Sequence, residues 1–378
     1  MTSHAFLSAS ASHRWLACPP SAKLCAEVPD EESPYAKQGT DAHELCQYLV
    51  EKELGRDVTN PTQNLEFYDA EMQESAEGYC SFVMEQIAKA KEFCPDPLVC
   101  MEQKLDYSRW VQDGFGTGDC VIVADDTLHI IDFKYGLGVL VTASGEDGTG
   151  NSQLKCYALG ALDTFGDLYA IKHIRLSIYQ PRRAHVDTFE LSTEELLKWA
   201  DEVLAPTARL AYEGGGEFHA GEHCRFCRIK ATCRKRAAYS LELAKYEFTE
   251  APSLSSEEIG IILPQIESLI SWAEDIKAYA LEQALAGVHY PGFKLVEGRA
   301  VRKFSNEDQV IRAVCEAGFD PFEKKLLGIT AMQKLLGKNR FDELLSGLVE
   351  KPKGKPTLVP ESDKRPAVSS ATLDFKEE

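Results

Sequence analysis

An α/β fold with a short mixed sheet flanked by helices is what this sequence predicts, and two observations predict it. Apolar, β-branched runs at 98–105, 116–123, 127–134, 171–179 and 186–191 are short and bounded by Gly, Asp or Pro, the pattern of strands buried in a sheet. Longer segments with apolar residues at helical spacing lie near 40–54, 66–93, 151–164 and 193–212. Strands that alternate with helices in this way close around one core.

Residues 1–35 read as an irregular arm carrying Cys18. Thr40 is a natural N-cap for a helix over 41–53, which puts His43 in its first turn, where the positive helix end would keep the imidazole neutral. The helix over 66–93 is acidic on a solvated face. The runs 116–123 and 127–134 flank an Asp125-Asp126 turn and predict a buried β-hairpin. A glycine-rich stretch from Gly145 to Gly150 precedes the helix over 151–164. Helix 193–212 leads into a cysteine knuckle. Residues 237–286 carry Ile262, Ile266, Leu269, Trp272, Ile276 and Tyr279 at helical spacing, with Pro264 marking a helix start. Beyond lie an expected short strand at 292–299 and compact helices at 306–317, 321–327 and 330–347. The resulting organisation is a main domain over 1–240, an appended, mostly helical module over 241–350, and a basic, proline-rich tail over 351–378.

Chemistry enters at the hairpin. Asp119 begins its first strand and Asp132 ends its second, so antiparallel pairing brings the two acids to the same end of the hairpin. Mg²⁺ or Mn²⁺ prefers oxygen ligands of this kind and keeps waters for a substrate phosphate. Lys134 projects from the same face as Asp132 because strand side chains alternate with period two. There it can orient or deprotonate a water, or balance charge on a phosphate. Taken alone, an Asp-x-Lys triplet is equally a strand-end ion pair. Gln153 and Tyr157 are four residues apart and share a helix face. Glu102, in the strand before the hairpin, either faces this site or faces solvent.

Cys224 and Cys227 form a C-x₂-C pair, Cys233 follows after five residues, and Cys18 lies far upstream. Four such thiolates hold either tetrahedral zinc or an iron–sulfur cluster. Cys25 is a rival to Cys18, which is preferred because it sits at a proline-terminated turn. The chain has 12 cysteines and opens on no signal-peptide pattern, so a reducing compartment is expected. The remaining cysteines read as small buried hydrophobes.

Together these motifs resemble the PD-(D/E)XK nuclease superfamily, and within it the RecB-like and CRISPR-associated iron–sulfur exonucleases. Gly116-Thr117-Gly118-Asp119 is similar to their G-x-x-D motif and Asp132-Phe133-Lys134 to the (D/E)-x-K motif. Gln153-Leu154-Lys155-Cys156-Tyr157 is similar to Q-x-x-x-Y, and Gly39-Thr40-Asp41-Ala42-His43-Glu44 to the helical histidine motif. The resemblance implies a restriction-endonuclease-like core in which His43, Asp119, Asp132 and the Phe133 carbonyl bind Mg²⁺ or Mn²⁺. Lys134 would be the catalytic lysine, with Gln153 and Tyr157 positioning groups. It also implies a [4Fe–4S] cluster on Cys18, Cys224, Cys227 and Cys233, with zinc as the alternative. The whole chain is similar to a phage-borne RecB-like family, which implies the bacterial host cytoplasm.

Composition bounds the partners. A net charge of −19 opposes broad attraction to DNA. Six basic residues and no acidic one, however, lie between His223 and Arg236 (Arg225, Arg228, Lys230, Arg234, Lys235 and Arg236). No segment is apolar enough for a membrane span. The expected function is a metal-dependent DNA exonuclease acting on single- or double-stranded ends in phage replication or recombination. It would work alone, as an oligomer, or with a single-strand-binding or recombination protein. Two alternatives stay open: an endonuclease or structure-specific trimmer of the same fold, and a noncatalytic binding scaffold with a structural metal.

Overall fold

The computed structural model describes residues 5–29, 34–145, 147–242, 255–297, 304–322 and 326–350. The chain divides into two compact units, Met1–Glu282 and Gln283–Glu378, so the division falls well past the boundary expected after residue 240. The basic tail over 351–378 lies outside the described residues.

The first unit is a mixed α/β domain. Two short helices, α1 (Ser12–Ala17) and α2 (Ser21–Ala26), precede the long α3 (Pro34–Glu53) and α4 (Ala70–Lys91). Strands β1 (Leu98–Asp106), β2 (Phe115–Ala124) and β3 (Thr127–Phe133) form an antiparallel meander. Helix α5 (Ser152–Phe165) then crosses over to β4 (His173–Gln180), which pairs parallel to β3, and β5 (His185–Ser192) pairs antiparallel to β4. The sheet order is therefore β1-β2-β3-β4-β5. A parallel pair cannot be joined by a tight turn, and α5 is the crossover that β3 and β4 require.

Strand alternation sorts the core into two layers. Val121, Val123, Leu128, Ile130, Leu176 and Ile178 face α5 and α1, packing with Leu154, Leu159 and Trp15. Cys120, Ile122, Ile131 and Phe133 face α3 and α4, packing with Leu45, Met72, Tyr79 and Val83. With helices on both faces, β2 and β3 are buried almost end to end, which is why they read as continuous apolar runs. Capping fixes the helix starts: Asp69 accepts from the Met72 amide at 2.8 Å, and Asn151 accepts from the Gln153 and Leu154 amides.

After β5, α6 (Thr193–Trp199), a π segment (Ala200–Leu204) and α7 (Ala205–Glu213) form the expected helical arm. The knuckle follows, then α8 (Arg234–Leu241) and α9 (Ser256–Leu285). Pro264 lies inside α9 rather than at its start. The second unit contains α10 (Glu307–Glu316), α11 (Ile329–Leu336) and α12 (Lys338–Leu345). The single helix expected at 330–347 is thus broken at Gly337, whose φ of +73° is left-handed. Residues 292–297 are not a strand and pair with no other segment among the described residues, while 298–299 lie outside them. Nor are 321–322 and 326–327 helical; 323–325 lie outside the described residues. No described helix is long and apolar enough to cross a membrane.

Candidate active site

The β2–β3 register places Cys120 opposite Ile131, so Asp119 and Asp132 are the next cross-strand pair. Asp119 lies in the middle of β2 rather than at its start. Its Oδ2 accepts from the Phe133 amide at 2.6 Å, and its Oδ1 stands 3.2 Å from His43 Nδ1. Phe133 thus fixes Asp119 through its N–H, and its buried ring meets the His43 imidazole edge to face at 5.4 Å.

His43 is not in a first turn. Helix α3 begins at Pro34, Thr40 is an interior residue whose hydroxyl donates to the Ala36 carbonyl, and His43 lies mid-helix. The expectation of a depressed imidazole pKa fails with that geometry. Burial does push it down, but the neighbouring Asp119, aided by Asp132 and Glu102, raises it to about 9.

Glu102 completes the group. It sits across from Asp119, between the pairs Met101–Cys120 and Gln103–Gly118, with a left-handed φ of +47°. That conformation costs on the order of 1–3 kcal/mol in a non-glycine residue and persists only where its surroundings impose it. Its Oε1 lies 4.0 Å from His43 Nδ1. Alternation along the strand marks Glu102 only as facing one side or the other; the local kink that brings it beside His43 leaves no signal in the sequence.

A second half of the site comes from β3 and α5. Lys134 Nζ stands 2.9 Å from Asp132 Oδ2 and donates to Gln153 Oε1 at 3.1 Å. Gln153 Nε2 donates to Asp132 Oδ1 at 3.2 Å and to the Tyr157 hydroxyl at 3.1 Å. One amide therefore holds acid, lysine and tyrosine in a single arrangement. Gly116 is required here because a Cβ on it would come 2.6 Å from the Tyr157 ring.

The electrostatics are those of a cation site. Burial and the adjacent Asp119 push Glu102 up to about 7, and burial likewise raises Asp132 against the opposing pull of Lys134. Asp119 is held low by His43 and Lys134 despite burial. Several carboxylates this close cannot all ionise without positive charge among them. Asp132 Oδ2 is buried and accepts no hydrogen bond, the lysine approaching it as an ion pair only. Among the described residues, the grouping of potential metal ligands whose donor atoms all lie within 4.8 Å is His43, Glu102 and Asp119. A hard divalent cation fits this nitrogen-and-oxygen donor set, with Asp132 beside it.

The cysteines gather elsewhere in the first unit. Cys18, Cys224, Cys227 and Cys233 line one cavity, of about 300 Å³ of atom-free space partly open to solvent, together with His219, His223 and Arg236. Cys25 does not line it but packs its sulfur 3.6 Å from that of Cys227. Three of the six basic residues of the knuckle are engaged internally. Arg228 donates to the Cys25 and Val28 carbonyls, Lys230 pairs with Asp275 at 2.7 Å, and Arg236 pairs with Asp275 and donates to the Lys230 carbonyl. Arg225, Arg234 and Lys235 remain exposed. None of the 12 cysteines is joined in a disulfide. Cys46, Cys94, Cys120 and Cys156 are buried as expected, whereas Cys315 is exposed.

Residues 4–366 match the model of the family described as "Protein of unknown function (DUF2800)". The chain belongs to this DUF2800 family. Among solved structures, this family member is similar to the one titled "Crystal structure of SSO0001", at 12% identity and a TM-score of 0.23, with 52% of this chain and 98% of that chain covered.

Proposed function

We propose that this chain is a metal-dependent DNA exonuclease of the PD-(D/E)XK type, hydrolysing phosphodiester bonds at DNA ends. The observation that carries the reading is the convergence of Asp119, Asp132, Glu102 and His43 with Lys134, with the Gln153 amide bridging Asp132 and Lys134. His43, Glu102, Asp119 and Asp132 would hold Mg²⁺ or Mn²⁺. Such an ion, when bound, polarises a phosphate oxygen and lowers the pKa of a coordinated water.

The chain's own groups do the rest. Lys134 keeps its proton, because Asp132 and Asp119 raise its pKa although burial opposes them. Beside Asp132 it can balance charge developing on the phosphate or act on the attacking water. Gln153 bridges the Asp132–Lys134 ion pair, accepting from the lysine and donating to the second carboxylate oxygen, and so fixes the orientation of both. Tyr157 fixes that amide's orientation.

Cys18, Cys224, Cys227 and Cys233 would hold a [4Fe–4S] cluster. The C-x₂-C-x₅-C knuckle with one remote cysteine supports that choice through the family resemblance, and tetrahedral zinc on the same four thiols is the alternative. The cluster's role would be to staple the arm carrying Cys18 to the knuckle, in a reducing cytoplasm.

The test is anaerobically purified protein incubated with end-labelled linear and covalently closed circular DNA and Mn²⁺ or Mg²⁺, beside Lys134→Ala and Asp119→Ala. Loss of linear DNA alone, abolished by both substitutions and by chelator, is the expected result. Cutting of circles moves the reading to an endonuclease, and no cleavage of any substrate overturns it.

A further inference from the structure

The connection from β3 to α5 begins at Lys134 and ends at Asn151, two residues before Gln153 in the first turn of α5, so each of its ends adjoins the site above. Residues 136–142 form no helix or strand, yet their backbone is tied down. Gln180, only 1% exposed, donates from Nε2 to the Gly136 carbonyl at 2.7 Å and the Val139 carbonyl at 2.8 Å, and its Oε1 accepts from the Val141 amide at 3.2 Å. Arg183 donates to the Leu137 carbonyl, and Asn151, the cap of α5, to the Thr142 carbonyl. At the loop's start, the Arg182 guanidinium lies over the Tyr135 ring at 4.8 Å.

A loop without such staples can fold its apolar side chains down onto the protein. Here the path of the main chain is fixed while Leu137 and Leu140 each remain 48% exposed. Apolar surface held in water beside a phosphate-binding centre is stabilised by whatever apolar surface accompanies the phosphate. On a nucleotide that surface is the face of the base. A paired, stacked base hides its faces, and an unpaired base at a strand end offers one. Leucine side chains are among those that press against base steps in known protein–DNA contacts.

Resting on the nuclease reading, we propose that residues 136–141 form a rigid apolar ledge that packs against the unpaired base next to the scissile phosphate, so that the site takes single-stranded DNA ends in preference to paired ones. The ledge is a specificity element: it touches substrate, and Gln180 keeps it in place.

The experiment compares wild type, Leu137→Ser/Leu140→Ser and Leu137→Met/Leu140→Met, each checked for an unchanged melting curve. Substrates are a labelled single strand, the same strand in a blunt duplex, and the single strand with abasic positions at its end. Binding is followed separately in Ca²⁺ with single strands carrying terminal 2-aminopurine. Wild type should favour the single strand, and the serine pair should lose roughly ten-fold on it, about the worth of one base contact. The methionine pair should stay close to wild type, and all three proteins should treat the abasic strand alike. Equal cleavage of the single strand by wild type and the serine pair, or an equal loss on abasic substrate, overturns the ledge and leaves the nuclease reading standing. If wild type binds the 2-aminopurine strand without cleaving, the same comparison is made on affinity, and an undiminished affinity in the serine pair overturns the ledge. Neither binding nor cleavage by wild type overturns both.

Discussion

The carboxylate site and the cysteine cavity lie in the same unit but are assembled in opposite ways. Asp119, Asp132 and Lys134 are near neighbours in sequence, set by one hairpin register, and every group in their network is already within hydrogen-bonding or ion-pairing distance of another. The four cavity-lining cysteines come from chain segments some two hundred residues apart. They line one shared cavity. A sheet can preorganise a site by backbone pairing alone, whereas a clasp between distant segments needs a bonding centre to repay the entropy of closing so long a loop. The first region should therefore be coupled to activity and the second to stability.

The largest expected effect tests the first half of that statement. Asp119→Asn and Lys134→Ala should each lower kcat/KM on linear DNA by about 10³-fold, the scale of losing one preorganised electrostatic group. Lys134→Ala should also lower Tm in metal-free buffer, because it leaves Asp132 buried without its cation. Asp119→Asn should change Tm little, since it removes the pairing with His43 while relieving the crowding of acids around Glu102 and Asp132. In both, activity should fall far more than folded protein. A variant that loses activity only in proportion to its loss of folded protein would break the comparison.

The clasp should behave in reverse. Cys18→Ser is expected to strip the metal and lower Tm markedly, while Cys25→Ser, outside the cavity lining, retains metal at the wild-type ratio. Metal per chain by mass spectrometry and Tm by circular dichroism decide this, and the opposite pattern would hand the fourth ligand position to Cys25. A smaller effect concerns the salt bridge behind the cavity. Arg236→Met removes a cation that is 5% exposed and paired with Asp275. A loss of about 3 kcal/mol is expected in urea unfolding, near the lower end for a broken buried pair, because Lys230 still faces Asp275 at 2.7 Å.

How much of this was legible in the sequence follows the same division. The pairing of Asp119 with Asp132 was readable because a tight Asp125-Asp126 turn between two apolar runs allows one register, and a one-residue slip would turn both acids away. Spacing marks Cys224, Cys227 and Cys233 as a knuckle, whereas Cys18 is distinguished from Cys25 only by its proline-terminated turn; all four line one cavity. The body of α3 is legible from Ala42, Leu45, Cys46 and Val50, which are buried, but its start is not, because Gly39 and Thr40 look like a boundary while the helix runs through them from Pro34. Glu102 was undecided because its left-handed backbone is a tertiary effect with no local residue code. Gln180 escaped notice for the same reason: a glutamine before proline reads as a strand end, and only the folded loop reveals what it binds. The strand expected at 292–299 had the right residue types over its described part, but a strand exists only where another supplies hydrogen bonds.

The last prediction asks whether the sheet itself, rather than its ligands, sets the rigidity of the carboxylate site. His129 of β3 is buried in the middle of the sheet and hydrogen-bonds Ser177 at 2.8 Å, with Ser177 in turn 2.8 Å from Thr188. Burial, helped by the charges of Arg175 and Lys89, lowers its pKa to about 3 from an ordinary value of 6.5. The folded chain thus keeps this imidazole neutral where the unfolded chain takes up a proton. The contribution is complete above about pH 6.5 and is lost as pH falls toward 3, by up to roughly 1.4 kcal/mol per pH unit. Denaturant unfolding at pH 7, 6, 5 and 4 should show wild type losing stability more steeply than His129→Gln, whose amide can still reach Ser177. If the two slopes coincide, the acid sensitivity resides in the paired carboxylates of the site instead, and the sheet is a passive support.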